Sequence, residues 1–305
     1  MALFLLRRLL AFIPLLLGMS VVVFLILQIL PGDPAAIIGG QFATQEDIAE
    51  IREDLGLNRP LPVQYATFLR KLVTFDLGTS YATRRPVAEM ISRRYPATIS
   101  LAFAAMAIAL TLGTLAGMIA ASTRNSAWDL LTMLASQAGI SIPGFWLGLL
   151  LIYYFSVQLG WFPTSGLSGP RYYVLPALAL SVFSMAFIAR MTRASLVETL
   201  GLDYIRSARA KGLTHNRVVF KHALRNAFIP VITIAGLSFG YLLGGSVVIE
   251  AVFNINGLGR LVVDSILSRD YPVIQVSILV LAVNVAAANL VVDVCYALLD
   301  PRLRY

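Results

Sequence analysis

The side chains that could do chemistry in this chain are concentrated between Arg190 and Arg225. That stretch holds Arg190, Arg193, Arg206, Arg209, Lys211, Arg217, Lys221 and Arg225, with Glu198 and Asp203 as its only acids. The whole chain has a formal net charge of +8, so most of its excess positive charge lies in this one island. Both histidines, His215 and His222, fall there too, and a spacing of seven suits solvated or interface imidazoles better than metal ligands. Cys295 is the only cysteine, so neither a disulfide framework nor a zinc-finger spacing is possible within the chain. None of the three lysines (Lys71, Lys211, Lys221) directly follows a glycine, so no P-loop is present and ATP is not bound in that manner. Neither a nucleophile elbow nor a His-Glu-x-x-His metal motif is expected. No residue is assigned as catalytic, cofactor-binding or metal-ligating, and the island reads as a binding surface.

Within it, Asp203-Tyr204-Ile205-Arg206-Ser207-Ala208-Arg209-Ala210-Lys211-Gly212 predicts a short helix stopped by glycine. The elements that present this helix are apolar. The chain has 305 residues, 58 % apolar and 13 % charged, with a mean hydropathy of +0.78. Soluble domains carry about 25 % charged residues, so a membrane protein is indicated. The uncharged blocks are Leu9–Leu30, Ala97–Thr123, Leu130–Pro170, Tyr172–Ala189, Asn226–Ile249 and Tyr271–Val292. A span needs roughly 20 residues, and six spans is the simplest count. Leu130–Pro170 exceeds one span, and Gly160-Trp161-Phe162-Pro163 is expected to end its helix in an aromatic interfacial loop. The first block is longer than a signal-peptide core and lacks a small-x-small cleavage site, so it reads as a retained span.

Orientation follows from the short loops. Arg7 and Arg8, Arg124, the island, and Arg302 with Arg304 alternate with loops poor in net positive charge, placing both termini and the island in the cytoplasm. The segment Pro31–Pro96 then lies outside, with eight basic and eight acidic residues. Thr44-Gln45-Glu46-Asp47 resembles a capping box and Gly56 a stop. Further helices are expected from Pro62 to Phe75 and from Pro86. A small helical cap results.

Ionisable groups are nearly absent from the spans, with Glu250 and Asp293 near their ends. Ion-coupled carriers bury carboxylates or histidines as relays, so a secondary transporter is disfavoured. Gln28, Gln137, Ser141, Gln275, Asn284 and Asn289 could line a path or equally tie helices together.

Several short motifs stand in order along the chain. They are Leu30-Pro31-Gly32-Asp33-Pro34, Asp76-Leu77-Gly78-Thr79-Ser80, Tyr95-Pro96-Ala97-Thr98, Ser141-Ile142-Pro143-Gly144-Phe145 and the island Asp203–Gly212. Glu250-Ala251-Val252-Phe253, Gly257-Leu258-Gly259, Arg269-Asp270-Tyr271-Pro272 and Asp300-Pro301-Arg302 complete the set. With these motifs the chain resembles the permease subunits of bacterial ATP-binding-cassette (ABC) importers, in the dipeptide, oligopeptide, glutathione and nickel group.

The resemblance implies an all-α, polytopic fold of the type I importer permease kind, with six transmembrane helices and an extracytoplasmic helical insert. It divides the chain into the N-terminus and first span (1–30), the insert (31–96) and a core permease domain (97–305). Coupling helices at about 196–225 would engage an ATPase through Asp203, Tyr204, Arg206, Ala208, Arg209, Ala210, Lys211 and Gly212. Arg206, Arg209 and Lys211 would make charged contacts, and Ala208, Ala210 and Gly212 would allow close approach. The implied partners are a homologous second permease, two cytosolic ATP-binding subunits, a periplasmic or lipid-anchored substrate-binding protein and membrane lipid, with no nucleic acid. ATP and Mg would sit on the partner subunits, with no cofactor in this chain. Small peptides including glutathione are the implied cargo, with chelated nickel as the alternative. The chain departs from the broader importer motif. Aligned on Gly212, Arg206-Ser207-Ala208 replaces Glu-Ala-Ala and His222-Ala223-Leu224-Arg225 replaces the closing proline segment, while Asp203 and Pro230 stand nearby. Asn256 stands where proline is common.

Overall fold

The computed structural model describes residues 2–29, 34–39, 43–54, 56–214 and 217–299. Leu30–Asp33, Leu55, His215 and the tail motif Asp300-Pro301-Arg302 with Arg304 lie outside these residues, as do the side chains of Arg7, Arg8, Asp293 and Cys295. The described residues are helical with no strand, apart from an isolated bridge between Thr79 and Pro86. They form two compact units, one of Ala2–Thr98 with Asn256–Asn284, the other of Ile99–Ile255 with Val285–Tyr305.

The first unit begins with α1 (Ala2–Ile29), α2 (Pro34–Gly39), α3 (Gln45–Asp54) and α4 (Leu61–Val73). The expected capping box is present. Asp47 N–H donates to Thr44 Oγ1 at 3.2 Å and Thr44 N–H donates to Asp47 Oδ2 at 2.8 Å. Gly56 takes φ +67°, the left-handed turn for which glycine is suited. Phe24 of α1 meets Tyr65 and Phe68 of α4 at ring-centre distances of 5.4 and 6.1 Å, and the hydroxyls of Ser20 and Tyr65 lie 2.8 Å apart.

The start of α5 (Val87–Ser122) joins α11 (Leu258–Leu267) and the start of α12 (Tyr271–Leu299) in the same unit. Val87 and Ile91 pack with Leu258, Leu261, Val273 and Val276 in one apolar cluster. Thr98 Oγ1 accepts from Leu258 N–H at 2.8 Å, supplying α11 with a cap from a distant helix. The sequence suggests a boundary at Pro96, but α5 runs through it, fusing the last insert helix to the following apolar block. Proline removes one backbone donor and does not by itself end a helix held by packing on both sides.

The second unit contains the rest of α5, α6 (Ala127–Ser141), α7 (Gly144–Leu151) with a π-helical continuation Ile152–Gln158, and α8 (Pro170–Leu200). It also holds α9 (Asp203–Ala210), a π-helical turn Val218–Ala223 running into α10 (Leu224–Val252), and the second half of α12. Helix α8 is central: 56 % of its apolar window is buried, against 28–39 % for the other long apolar helices. Its small residues admit close neighbours. A Cβ on Gly113 of α5 would stand 2.7 Å from the Met185 carbonyl oxygen, so only glycine fits that crossing.

Among the described residues four helices are long and apolar enough to cross a bilayer: Val87–Ser122, Pro170–Leu200, Val218–Val252 and Tyr271–Val292. Leu10–Leu25 is a shorter apolar stretch. The block from Leu130 is not one helix ended at Gly160. It breaks at Ile142-Pro143, where α6 and α7 meet at 104°. Ile142 is extended (φ −82°, ψ 123°), as expected before a proline, and its N–H donates to the Ala138 carbonyl. The stop at Gly160 is also present, with φ +63°.

Candidate functional site

Helix α9 lies where the sequence places it and shows two faces. Ile205 is fully buried and Ala208 is 8 % exposed, both in a cluster with Leu196, Val218, Val219, Ala223 and Ala227. Burying an isoleucine side chain contributes about 2–3 kcal/mol, so this face seats α9 against the end of α8 and the start of α10. The other face is open: Asp203, Tyr204, Arg206, Ser207, Arg209, Ala210, Lys211 and Gly212 are exposed. Gly212 takes φ +78° and its N–H donates to the Arg209 carbonyl at 2.9 Å, the glycine stop expected from the sequence. Ala208 faces the seat, while Ala210 and Gly212 face outward.

Among the described residues, Tyr204 is the one side chain of the open face fixed to another element. Its hydroxyl accepts from Asn226 Nδ2 at 2.9 Å and donates to the His222 carbonyl at 3.4 Å. Arg206 pairs with Asp203 at 3.3 Å, both largely solvated, so the contact is weak and both groups stay available to a partner. Asp203 sits at the positive end of α9 and Arg209 at its negative end, each opposing the local helix dipole.

A cavity of about 290 Å³ opens at the α6–α7 break. Ser141, Pro143, Phe145, Phe183, Tyr241 and Ile249 are among its walls, and the Phe183 and Tyr241 rings stack with centres 4.3 Å apart. Among the described residues no carboxylate, amine or imidazole lines it, so its walls offer shape, ring faces and backbone groups. Broken helices expose backbone groups to a lined cavity without the cost of facing lipid.

The remaining polar candidates divide. Asn284 ties helices: Tyr95 Oη donates to its Oδ1 at 2.6 Å and its Nδ2 donates to the Val280 carbonyl at 2.7 Å. Gln28 Nε2 reaches Gln64 Oε1 at 3.4 Å. Ser141 lines the cavity and Gln275 lines a separate cleft beside Lys71 and Asp76. Sequence reading missed Asp129, whose carboxylate takes both Nε and Nη2 of Arg193 at 2.5 and 2.7 Å. Nothing in the local pattern of either residue signals a partner 64 positions away. One pattern corrects the sequence expectation: Gly236-Leu237-Ser238-Phe239-Gly240 has nucleophile-elbow spacing. It lies inside α10 with no strand before it, so it cannot form the strand-to-helix turn that exposes a nucleophile.

Residues 113–305 match the family described as binding-protein-dependent transport system inner membrane component, and residues 1–102 match the N-terminal part of such membrane components. The chain belongs to this family. It is a permease of the ABC-importer kind, a multi-pass inner-membrane protein rather than an enzyme. The permease is 50 % identical over 302 residues, 99 % of each chain, to the glutathione transport system permease protein GsiC of Escherichia coli O6:H1. It is 49 % identical over the same length to that of strain K12 and 48 % to that of Salmonella paratyphi A. Its fold is similar to that of a chain of the MetNI methionine ABC transporter in an inward-facing conformation, with a TM-score of 0.61 and 22 % identity, covering 70 % of the permease and 98 % of that chain. An amino acid ABC transporter chain gives a TM-score of 0.52 at 18 % identity, covering 69 % and 94 %. The all-helical permease fold expected from the sequence is therefore present.

Proposed function

We propose that this permease carries small peptides, glutathione foremost, across the inner membrane by an ATP-driven cycle. The observation that carries this reading is the 50 % identity to a glutathione transport permease over 99 % of both chains. The uncharged, aromatic-walled cavity at the α6–α7 break is consistent with it, since a bare metal ion would need imidazole, thiolate or carboxylate ligands. Chelated nickel is the lesser alternative.

In this reading both termini and α9 are cytoplasmic, and α1 and the bent α6–α7 pair bring the spans to six. A second, homologous permease completes the pathway, and a periplasmic or lipid-anchored binding protein delivers cargo to the outer side. Two cytosolic subunits bind ATP and Mg. They grip α9 through Asp203, Tyr204, Arg206, Arg209, Ala210, Lys211 and Gly212, while Ile205 and Ala208 hold the helix to the permease. Asp203, in the first turn of α9, takes the place of the motif's missing acid.

The experiment is uptake of labelled glutathione, a dipeptide and a nickel chelate by cells deleted for this chain. Loss of glutathione uptake, restored by the chain, supports the proposal. Unchanged peptide and glutathione uptake with loss of the nickel chelate overturns it.

A further inference from the structure

We infer that the Asp129–Arg193 pair positions α6 for coupling, making its first turn, and through it the cavity wall, move with α9. This deepens the reading of α9 given above and rests on it.

The geometry is that of a fork. Arg193 Nε donates to Asp129 Oδ1 at 2.5 Å and Nη2 donates to Oδ2 at 2.7 Å. The carboxylate is also fixed from its own loop, because Oδ2 accepts from Asn125 N–H at 3.0 Å. Ser126 Oγ accepts from Asp129 N–H at 3.4 Å, and Asn125 takes φ +63° to complete the turn. Two parallel charge-assisted bonds fix orientation as well as distance.

Two simpler roles fit less well. An arginine that only sets topology would reach water or lipid headgroups, as the Arg206 side chain does at 74 % exposure. The Arg193 side chain is 28 % exposed and that of Asp129 only 6 %. A buried ion pair also adds little net stability over an apolar pair of similar size, so its distinctive contribution is a fixed register.

The pair stands between two parts that must communicate. Three residues beyond Arg193, Leu196 enters the cluster that seats Ile205 and Ala208, so α9 and the end of α8 form one body. From Asp129, α6 runs to Ser141, a length of about 18 Å at the helical rise, and ends at the break that walls the cavity. Elsewhere α6 meets α8 through Gly139 against Val182 and through Arg190 Nη1, which donates to Gln137 Oε1 at 3.5 Å. Neither fixes orientation as the two parallel bonds of the fork do. A displacement of α9 therefore reaches the α6–α7 break through Arg193 and Asp129.

The test uses the complete complex, with its ATPase subunits and binding protein, in liposomes, with activities taken per assembled complex. Asp129→Asn and Arg193→Lys are compared with the exchanged pair Asp129→Arg/Arg193→Asp. Two ratios are read: ATP hydrolysed per labelled glutathione taken up, and stimulation of ATP hydrolysis by the binding protein. The inference predicts that each single variant keeps its ATPase subunits but wastes ATP about tenfold and loses most of the stimulation. The exchanged pair recovers both ratios to within about twofold. A merely structural role would lower the amount of complex and leave both ratios unchanged, and that result overturns the inference. Detachment of the ATPase subunits from the single variants also overturns it. The α9 reading fails separately, if charge reversal of α9 itself leaves the ATPase subunits attached.

Discussion

Asp270 and Ser80, 190 residues apart in sequence, are joined directly: Ser80 Oγ donates to Asp270 Oδ2 at 2.5 Å. The other carboxylate oxygen accepts from Tyr81 N–H at 3.0 Å, and Thr83 N–H donates to Ser80 Oγ at 2.9 Å. Two motifs of the sequence, Asp76–Ser80 and Arg269–Pro272, thus form one knot that holds the loop before α5 to the start of α12. Asp270 is 2 % exposed.

Asp270→Ala leaves the buried Ser80 hydroxyl and the part-buried Tyr81 N–H without their acceptor. The expected loss is about 3 kcal/mol, with Asp270→Asn losing less because it keeps one acceptor. Thermal unfolding of the purified permease in detergent checks the order: wild type, then Asn, then Ala.

Tyr81 beside this knot gives a pH dependence. Burial, and then the Asp270 charge, push the Tyr81 phenol above its ordinary 10.0. The folded state holds the proton more tightly than the unfolded chain, so the stabilisation is complete below about pH 10 and is lost as pH rises through the folded-state value. Tyr81→Phe should flatten the alkaline side of the melting-temperature profile, read between pH 8 and about 11. An unchanged alkaline slope would contradict this assignment.

Much of the fold was legible because its signals are local. The Thr44 capping box, the Gly56, Gly160 and Gly212 stops and the helix Asp203–Ala210 each depend on a few neighbouring residues. Two features were not legible. Pro143 signals a kink, but a hydropathy window registers an uncharged run and not the size of a bend, so the 104° break at Ile142-Pro143 was not legible. Its own signal, an extended residue before proline, competes with strong apolar flanks that favour helix on either side. Pro96 raised the opposite problem, a breaker overridden by packing of Val87 and Ile91 on one side and of the apolar run on the other. The exposed face of α9 was legible in its charges, but its inward face was not. Ala208 reads as a small surface residue until Leu196 and Val219 are seen beside it.

The α5–α8 crossing gives a paired prediction. Gly113→Ala places a methyl 2.7 Å from the Met185 carbonyl and 2.9 Å from Ile188 Cγ2, and should cost about 1–3 kcal/mol. Gly244→Ala meets nothing within 4 Å and should be neutral or stabilise α10 by about 0.5–1 kcal/mol. Melting temperatures of the two variants should move in opposite directions, or only the first should move.

The two faces of α9 should separate stability from coupling. Ile205→Ala opens a hole in a fully buried seat and should lose about 3 kcal/mol, with faster limited proteolysis near α9. Arg206→Ala removes only a solvated pair and should leave melting and proteolysis unchanged.

The central claim is that the open face of α9 couples this permease to its ATPase. The most direct measurement is co-purification of the ATPase subunits with the variant Arg206→Glu/Arg209→Glu/Lys211→Glu, alongside uptake by the reconstituted complex. The account predicts a permease that is normally folded in the membrane, has lost its ATPase subunits and takes up nothing. Normal assembly and uptake by that variant would contradict it.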